Sequence, residues 1–202
     1  TAPSAEQIQE RLTEIVHPAT LAQMDYFRSL GLRERTLNLV VMVAFVLEMI
    51  WRQISGVNEL VRLIQTESML WASPRKVSQQ ALSQRLISLP SDLFLKILLS
   101  ILPLMQKRWT ERKRPLPPEI AWAQEQYSEV ELVDGSTLDA LIRKLGLLKD
   151  LPQNPLAGRM TCLLNLCSRL PTQIWYESDP KANDQRFWPQ ILAVLKENSL
   201  LI

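Results

Sequence analysis

One carboxylate in this 202-residue sequence stands where chemistry would want it. Asp134 closes the apolar stretch Val130-Glu131-Leu132-Val133 and is followed at once by Gly135-Ser136-Thr137. The stretch predicts a strand, and the glycine predicts a turn, so Asp134 is expected at a strand end, on a rigid element facing an open site. A carboxylate held that way suits a hard divalent cation, which prefers oxygen ligands. Two-metal phosphoryl transfer needs several such oxygens around ions about 3.5–4 Å apart. Asp-Gly is also a common turn pair, and taken alone the dipeptide reads as a solvated turn. Among the other acids, Asp139 falls on the following expected helix and is taken as exposed. Glu177 and Asp179 precede Pro180 and read as a solvated turn, and Asp184 is placed to stabilise a helix N-terminus.

Several chemistries are excluded. His17 is the sole histidine and stands before Pro18, away from any acidic or cysteine cluster, so neither a Ser-His-Asp triad nor histidine-rich zinc coordination can be built. No glycine-rich phosphate loop is present, which argues against a nucleotide cofactor. Cys162 and Cys167 share one expected strand at odd spacing, so they should face opposite sides and not pair; that suits a reducing, cytoplasmic setting. The first residues, Thr1-Ala2-Pro3-Ser4-Ala5-Glu6, carry no basic stretch leading into an apolar core, and no signal peptide is expected. Leu37–Ile50 is too short to span a bilayer and contains Glu48, so it is expected to be a buried helix. A net charge of +2 leaves nucleic-acid binding to local patches.

The elements that must position these groups fall into two regions. Residues 6–30 show loose helical periodicity interrupted at Pro18, with Gly31 as a break. Leu37, Val40, Val41, Ala44, Leu47 and Trp51 recur at helical spacing over 35–52. A further helix begins at Val57, and Ser78 is expected to cap another through Leu89. The next starts at Pro90-Ser91-Asp92 and runs through Leu104. The basic run Lys107 to Arg114, with Pro115, Pro117 and Pro118 behind it, reads as a linker, which divides the chain at 1–118 and 119–202. Beyond it the pattern changes. A strand at 130–134 and a helix over 137–148 are followed by a loop around Pro152 and Pro155. An antiparallel pair at 159–166 and 172–177, a helix from Asn183 and a final strand complete the order. The fold class expected is an α-rich N-terminal domain followed by a partial α/β mixed sheet.

DNA contact is expected from two places in the first region. The helices at 57–66 and 78–89 form a helix-turn-helix-like pair with a long intervening segment. In that arrangement Gln79, Gln80, Ser83 and Gln84 offer amide and hydroxyl groups to base edges, while Arg75, Lys76 and Arg85 touch phosphates. An ordinary surface helix with a polar face accounts for the same residues. Lys107, Arg108, Arg112, Lys113 and Arg114, beside Trp109, would add salt-sensitive, sequence-blind affinity for a phosphate backbone, or would simply form a solvated linker.

These motifs carry a resemblance. Val133-Asp134-Gly135-Ser136-Thr137-Leu138 resembles the first-aspartate motif of DDE transposases of the insertion-sequence-four type, which have a ribonuclease H-like core. Ala157-Gly158-Arg159-Met160 and Thr172-Gln173-Ile174-Trp175 are similar to the second and third strands of that core. Asn183-Asp184-Gln185-Arg186-Phe187-Trp188 resembles the start of the helix before its fourth strand. The resemblance spans roughly residues 35–202. It implies a bacterial enzyme of transposition that nicks transposon ends and joins them to target DNA, using two Asp and one Glu around Mg2+ or Mn2+. Asp134 matches the first Asp as catalytic residue and metal ligand. The second Asp is expected just after the fourth strand, past Ile202, and the Glu later still. By this reading the chain is a fragment that binds double-stranded transposon ends, is inactive alone and belongs with the nucleoid. An exposed sheet edge would favour a homodimer. Two rivals remain: a non-catalytic, inhibitory DNA-binding fragment, and an unrelated helical interaction protein in which Asp134-Gly135 is only a turn.

Overall fold

A computed structural model describes residues 4–112, 114–137, 158–179 and 181–202. The chain divides into two compact units, Thr1–Ile101 and Leu102–Ile202.

The first unit is helical. α1 (Ala5–Leu21) starts with a reciprocal cap in which the Gln7 amide donates to Ser4 Oγ at 3.2 Å and the Ser4 amide to Gln7 Oε1 at 3.0 Å. Such a cap contributes about 1 kcal/mol. Pro18 does not break this helix as expected. Its ring is exposed, the missing N–H removes one bond near the end, and the helix runs on to Leu21. α2 (Met24–Ser29) ends before Gly31, whose φ of +70° turns the chain.

α3 (Leu39–Trp51) is capped by Asn38, whose Oδ1 accepts from the Val41 amide at 3.0 Å, and buries Leu39 and the run Val41 to Phe45. Glu48 is buried too, at 3% exposure. Its Oε1 accepts from the Leu70 amide at 2.9 Å, and its Oε2 forms no hydrogen bond but lies 2.6 Å from Arg52 Nε, so the charge that interrupts the apolar run is ion-paired inside. α4 (Val57–Thr66) and α5 (Gln79–Ser88) follow, with Ser78 Oγ accepting from the Ala81 amide as its position suggested. Met42, Phe45, Leu60, Ile64, Met69 and Leu82 form the core of this unit.

α6 (Ser91–Arg112) corrects the expected linker. Past Leu104 the residues Met105, Gln106, Lys107 and Arg108 are good helix formers, and a Lys107–Glu111 pair at i, i+4 spacing lies at 3.9 Å. The helix therefore carries most of the basic run, and Pro115 lies beyond its end. Lys113 lies outside the described residues. No single described helix is long and apolar enough to cross a membrane.

The second unit holds α7 (Pro118–Gln126), which begins on its own proline, and a mixed four-strand sheet. The strands are β1 (Glu129–Thr137), β2 (Arg159–Asn165), β3 (Leu170–Glu177) and β4 (Ser199–Leu201). A 3-10 turn (Asp184–Phe187) and α8 (Trp188–Val194) lie between β3 and β4. The order is β3-β2-β1-β4, with β1 antiparallel to β2, β2 antiparallel to β3, and β4 parallel to β1. The expected antiparallel pair is thus present, tightly turned through Arg169 at φ +59°. Cys162 lies in β2 but Cys167 follows it in the turn, so the two do not share a strand; both are free thiols. The helix expected over 137–148 and the loop at Pro152 and Pro155 fall outside the described residues, apart from Thr137, which belongs to β1.

Candidate functional site

β1 places Asp134 differently from the sequence expectation. The strand does not turn at Gly135; it continues to Thr137, so Asp134 sits within the strand and is paired in register with Cys162. Gly135 serves another purpose. A Cβ there would come within 2.7 Å of Asp184 Oδ1 and 2.9 Å of its Cγ, so the missing side chain makes room for the Asp184 carboxylate. That carboxylate is gripped by Arg159: Nη2 donates to Oδ2 at 2.6 Å, Nε donates to Oδ1, and Nη1 reaches the Ala182 carbonyl at 3.0 Å. Asp184 also stands in the first turn of the 3-10 helix, as foreseen, while Asn183 Oδ1 supplies the cap by accepting from the Gln185 amide at 3.2 Å.

Side chains alternate along a strand, so β1 has two distinct faces. Glu131, Val133 and Gly135 share the face over which Asp184 lies. Val130, Leu132 and Asp134 share the other. α7 covers the Val130 end of that second face, where Ile120, Trp122 and Ala123 meet Leu166 and Leu200 around an apolar hollow of about 640 Å³. Asp134, two strand steps along, is exposed and forms no hydrogen bond or ion pair among the described residues. Opposite it, the Cys162 thiol is pushed up by burial first and then by the charges of Asp134 and Glu131, which keeps it protonated and unreactive.

Glu131 was missed by the sequence reading as a candidate of any kind. It is 1% exposed and accepts from Thr172 Oγ1 at 3.2 Å. Burial pushes its carboxyl above the usual range, with Asn165 and Thr172 partly opposing the shift. It lies on the opposite face from Asp134, so the two do not form a carboxylate pair. Glu177 and Asp179 close the turn after β3: Glu177 Oε1 accepts from the Asp179 amide at 3.3 Å and Asp179 Oδ1 from the Lys181 amide at 2.9 Å. No group of three His, Cys, Asp or Glu side chains able to hold a metal ion exists among the described residues. Asp139 lies outside them.

In the helical unit, Gln79, Gln80 and Gln84 are exposed on α5 and Ser83 is half-buried, while Leu82 faces the core. Ile87, at 86% exposure, stands on the same outer side and was not foreseen. The segment between α4 and α5 is a folded turn in which Met69 and Ala72 exchange backbone bonds at 2.9 and 2.8 Å, both buried. Arg75 is occupied by this architecture, donating to the Thr36 carbonyl at 3.0 Å and the Ser73 carbonyl at 3.1 Å. Lys76 is exposed, and Arg85 donates to the Arg33 carbonyl at 3.1 Å. Lys107, Arg108 and Arg112 lie along α6, and Arg114 is exposed beyond it. His17, the lone histidine, packs its ring on Trp71 with centroids 5.0 Å apart.

Comparison with protein-family models, with curated proteins and with solved structures finds no match for this chain.

Proposed function

We propose that the chain is part of a DDE-type DNA transposase: a helical DNA-binding unit ahead of the opening strands of a ribonuclease H-like core. One observation supports this above the others. Asp134 is exposed on the strand that lies between an antiparallel partner, β2, and a parallel one, β4. A ribonuclease H-like core arranges its first four strands in this order and carries its first carboxylate on the first strand.

The register sharpens the reading. β1 and β4 pair with Glu129 opposite Ser199 and Glu131 opposite Leu201, a constant offset of 70. The position opposite Asp134 is therefore 204, two past Ile202. Neighbouring strands lie about 4.8 Å apart, and register partners in a parallel pair point to the same side. A carboxylate at that position would stand beside Asp134, close enough for the two to share a cation. Within the described residues Asp134 brings at most two oxygens to an ion that takes six or more ligands. These residues do not make a Mg2+ or Mn2+ site, and no cutting step follows from them. For the 202 residues as given, the activity proposed is binding of double-stranded DNA without cleavage, as in an inhibitory fragment.

Duplex-binding measurements on this chain, with and without Mg2+ or Mn2+, test the proposal. Retained binding with intact DNA is expected. Absence of binding at low salt would remove the DNA reading. Metal-dependent cleavage abolished by Asp134→Ala would overturn the account of an incomplete site while keeping the enzyme class.

A further inference from the structure

We infer that the cleft between the 31–37 loop and α5 is an anion site that takes a phosphate group, and that duplex DNA supplies it. The DNA source rests on the function proposed above; the anion site itself does not. The cleft has a volume of about 530 Å³ and is bounded by Arg33, Arg35 and Thr36 on one side and Gln84, Arg85 and Ser88 on the other. Three guanidinium-bearing residues line it and no carboxylate does.

Two features keep it electropositive. The acid in the loop, Glu34, is drawn off by Arg28 at 3.0 Å, and neither Arg33 nor Arg35 has an ion-pair partner among the described residues. The carbonyls that would repel an anion are covered: Arg85 donates to the Arg33 carbonyl at 3.1 Å and Arg75 to the Thr36 carbonyl at 3.0 Å. The same two bonds pin the loop to the helical frame, so the cleft is held open before anything binds. Like charges gathered in one cleft repel, and a bound anion relieves that repulsion. Guanidinium groups present paired N–H donors whose spacing matches phosphate oxygens, and Gln84 and Ser88 add neutral donors beside them. Arg33 and Arg35, not the helix N-terminus at Gln79 and Gln80, thus make the phosphate contact, with α5 as the opposite wall.

The test compares the full 202-residue chain with its Arg33→Ala/Arg35→Ala variant in duplex binding across a salt series. Arg85→Ala is a poorer choice because Arg85 also holds the loop. A phosphate-binding cleft predicts at least a tenfold loss of affinity, and a log Kd against log salt slope shallower by about 2 because each lost phosphate contact is worth about 0.9. The thermal midpoint should not fall, since the variant loses mutual repulsion and no described ion pair. Duplex binding with an unchanged slope in the variant would overturn the cleft and leave the DNA reading standing. If the parent chain fails to bind duplex at all, the DNA source is wrong, and inorganic pyrophosphate decides the rest. Amide shifts at Thr36, Gln84 and Ser88, abolished by Arg35→Ala, would retain the anion site. No shifts would sink it.

Discussion

The two units each bury one glutamate and one threonine, but on different frames. In the helical unit other polar side chains cap helix ends or pin loops from the outside: Ser4, Asn38 and Ser78 cap, while Arg75 and Arg85 hold carbonyls of the 31–37 loop. Its interior is apolar save for Glu48 and Thr20. In the sheet unit Glu131 and Thr161 are buried in the sheet, and the partly exposed Arg159–Asp184 pair lies beside Gly135. The apolar cluster around Met42 and Phe45 belongs to the helical unit, while the close backbone approaches at Gly135 and Gly158 belong to the sheet unit.

The largest expected effect probes the helical unit. Phe45 is fully buried at the centre of that core, and Phe45→Ala should cost about 3–5 kcal/mol through lost burial and the cavity left behind. Denaturant unfolding followed separately in each unit checks it. If the units are as distinct as their interiors, only the helical transition moves; a joint shift would show one cooperative fold.

Backbone proximity sets the next scale, in the sheet unit. A Cβ on Gly158 would lie 2.0 Å from the Glu177 carbonyl oxygen, which cannot yield without moving β3. Gly158→Ala should cost about 3 kcal/mol, at the upper end of overpacking penalties. Gly135→Ala meets only the Asp184 carboxylate, so about 1–2 kcal/mol is expected, and the penalty should vanish in an Asp184→Ala background. Equal costs for the two glycines, or no coupling to Asp184, would show that close approach is not their role.

Glu131 gives a smaller, pH-dependent effect. Its folded carboxyl titrates above its unfolded value, since burial disfavours the charge. Below the ordinary glutamate pKa of about 4.3 both states are protonated and nothing is lost. As pH rises from there through the folded value, the folded state gives up its proton later than the unfolded chain, and stability falls. Glu131→Gln keeps an acceptor for Thr172 and removes that fall. The variant should match the parent near pH 3.5 and exceed it in stability at pH 7. A gap that widens toward acid would reverse the assignment.

Local signals made the helices and strands legible. Ser78, the periodicity over 35–52 and the apolar strands each act within a few residues, and each predicted its element. Long-range proximity was hidden. Gly135 reads as a turn in sequence, yet it is glycine because Asp184, far along the chain, approaches it. Asp184 reads only as an acid at a helix start, because its partner Arg159 lies 25 residues away. Arg33 and Arg35 drew no notice as loop residues, and the fold alone sets them opposite Arg85. Glu131 looked like the polar half of an alternating strand, but both faces of this sheet are occupied at that level and the carboxyl is enclosed.

Asp134 has the smallest expected effect on stability, and that smallness is informative. Among the described residues this exposed side chain of a central strand has no partner that Asn or Ala would lose. Aspartate is also disfavoured in strands relative to most residues, so its presence at this position asks for a reason outside stability. Asp134→Asn should change the unfolding free energy by less than about 0.5 kcal/mol, and duplex affinity of the chain should be unaffected. A loss of several kcal/mol would instead make Asp134 a structural residue of the sheet.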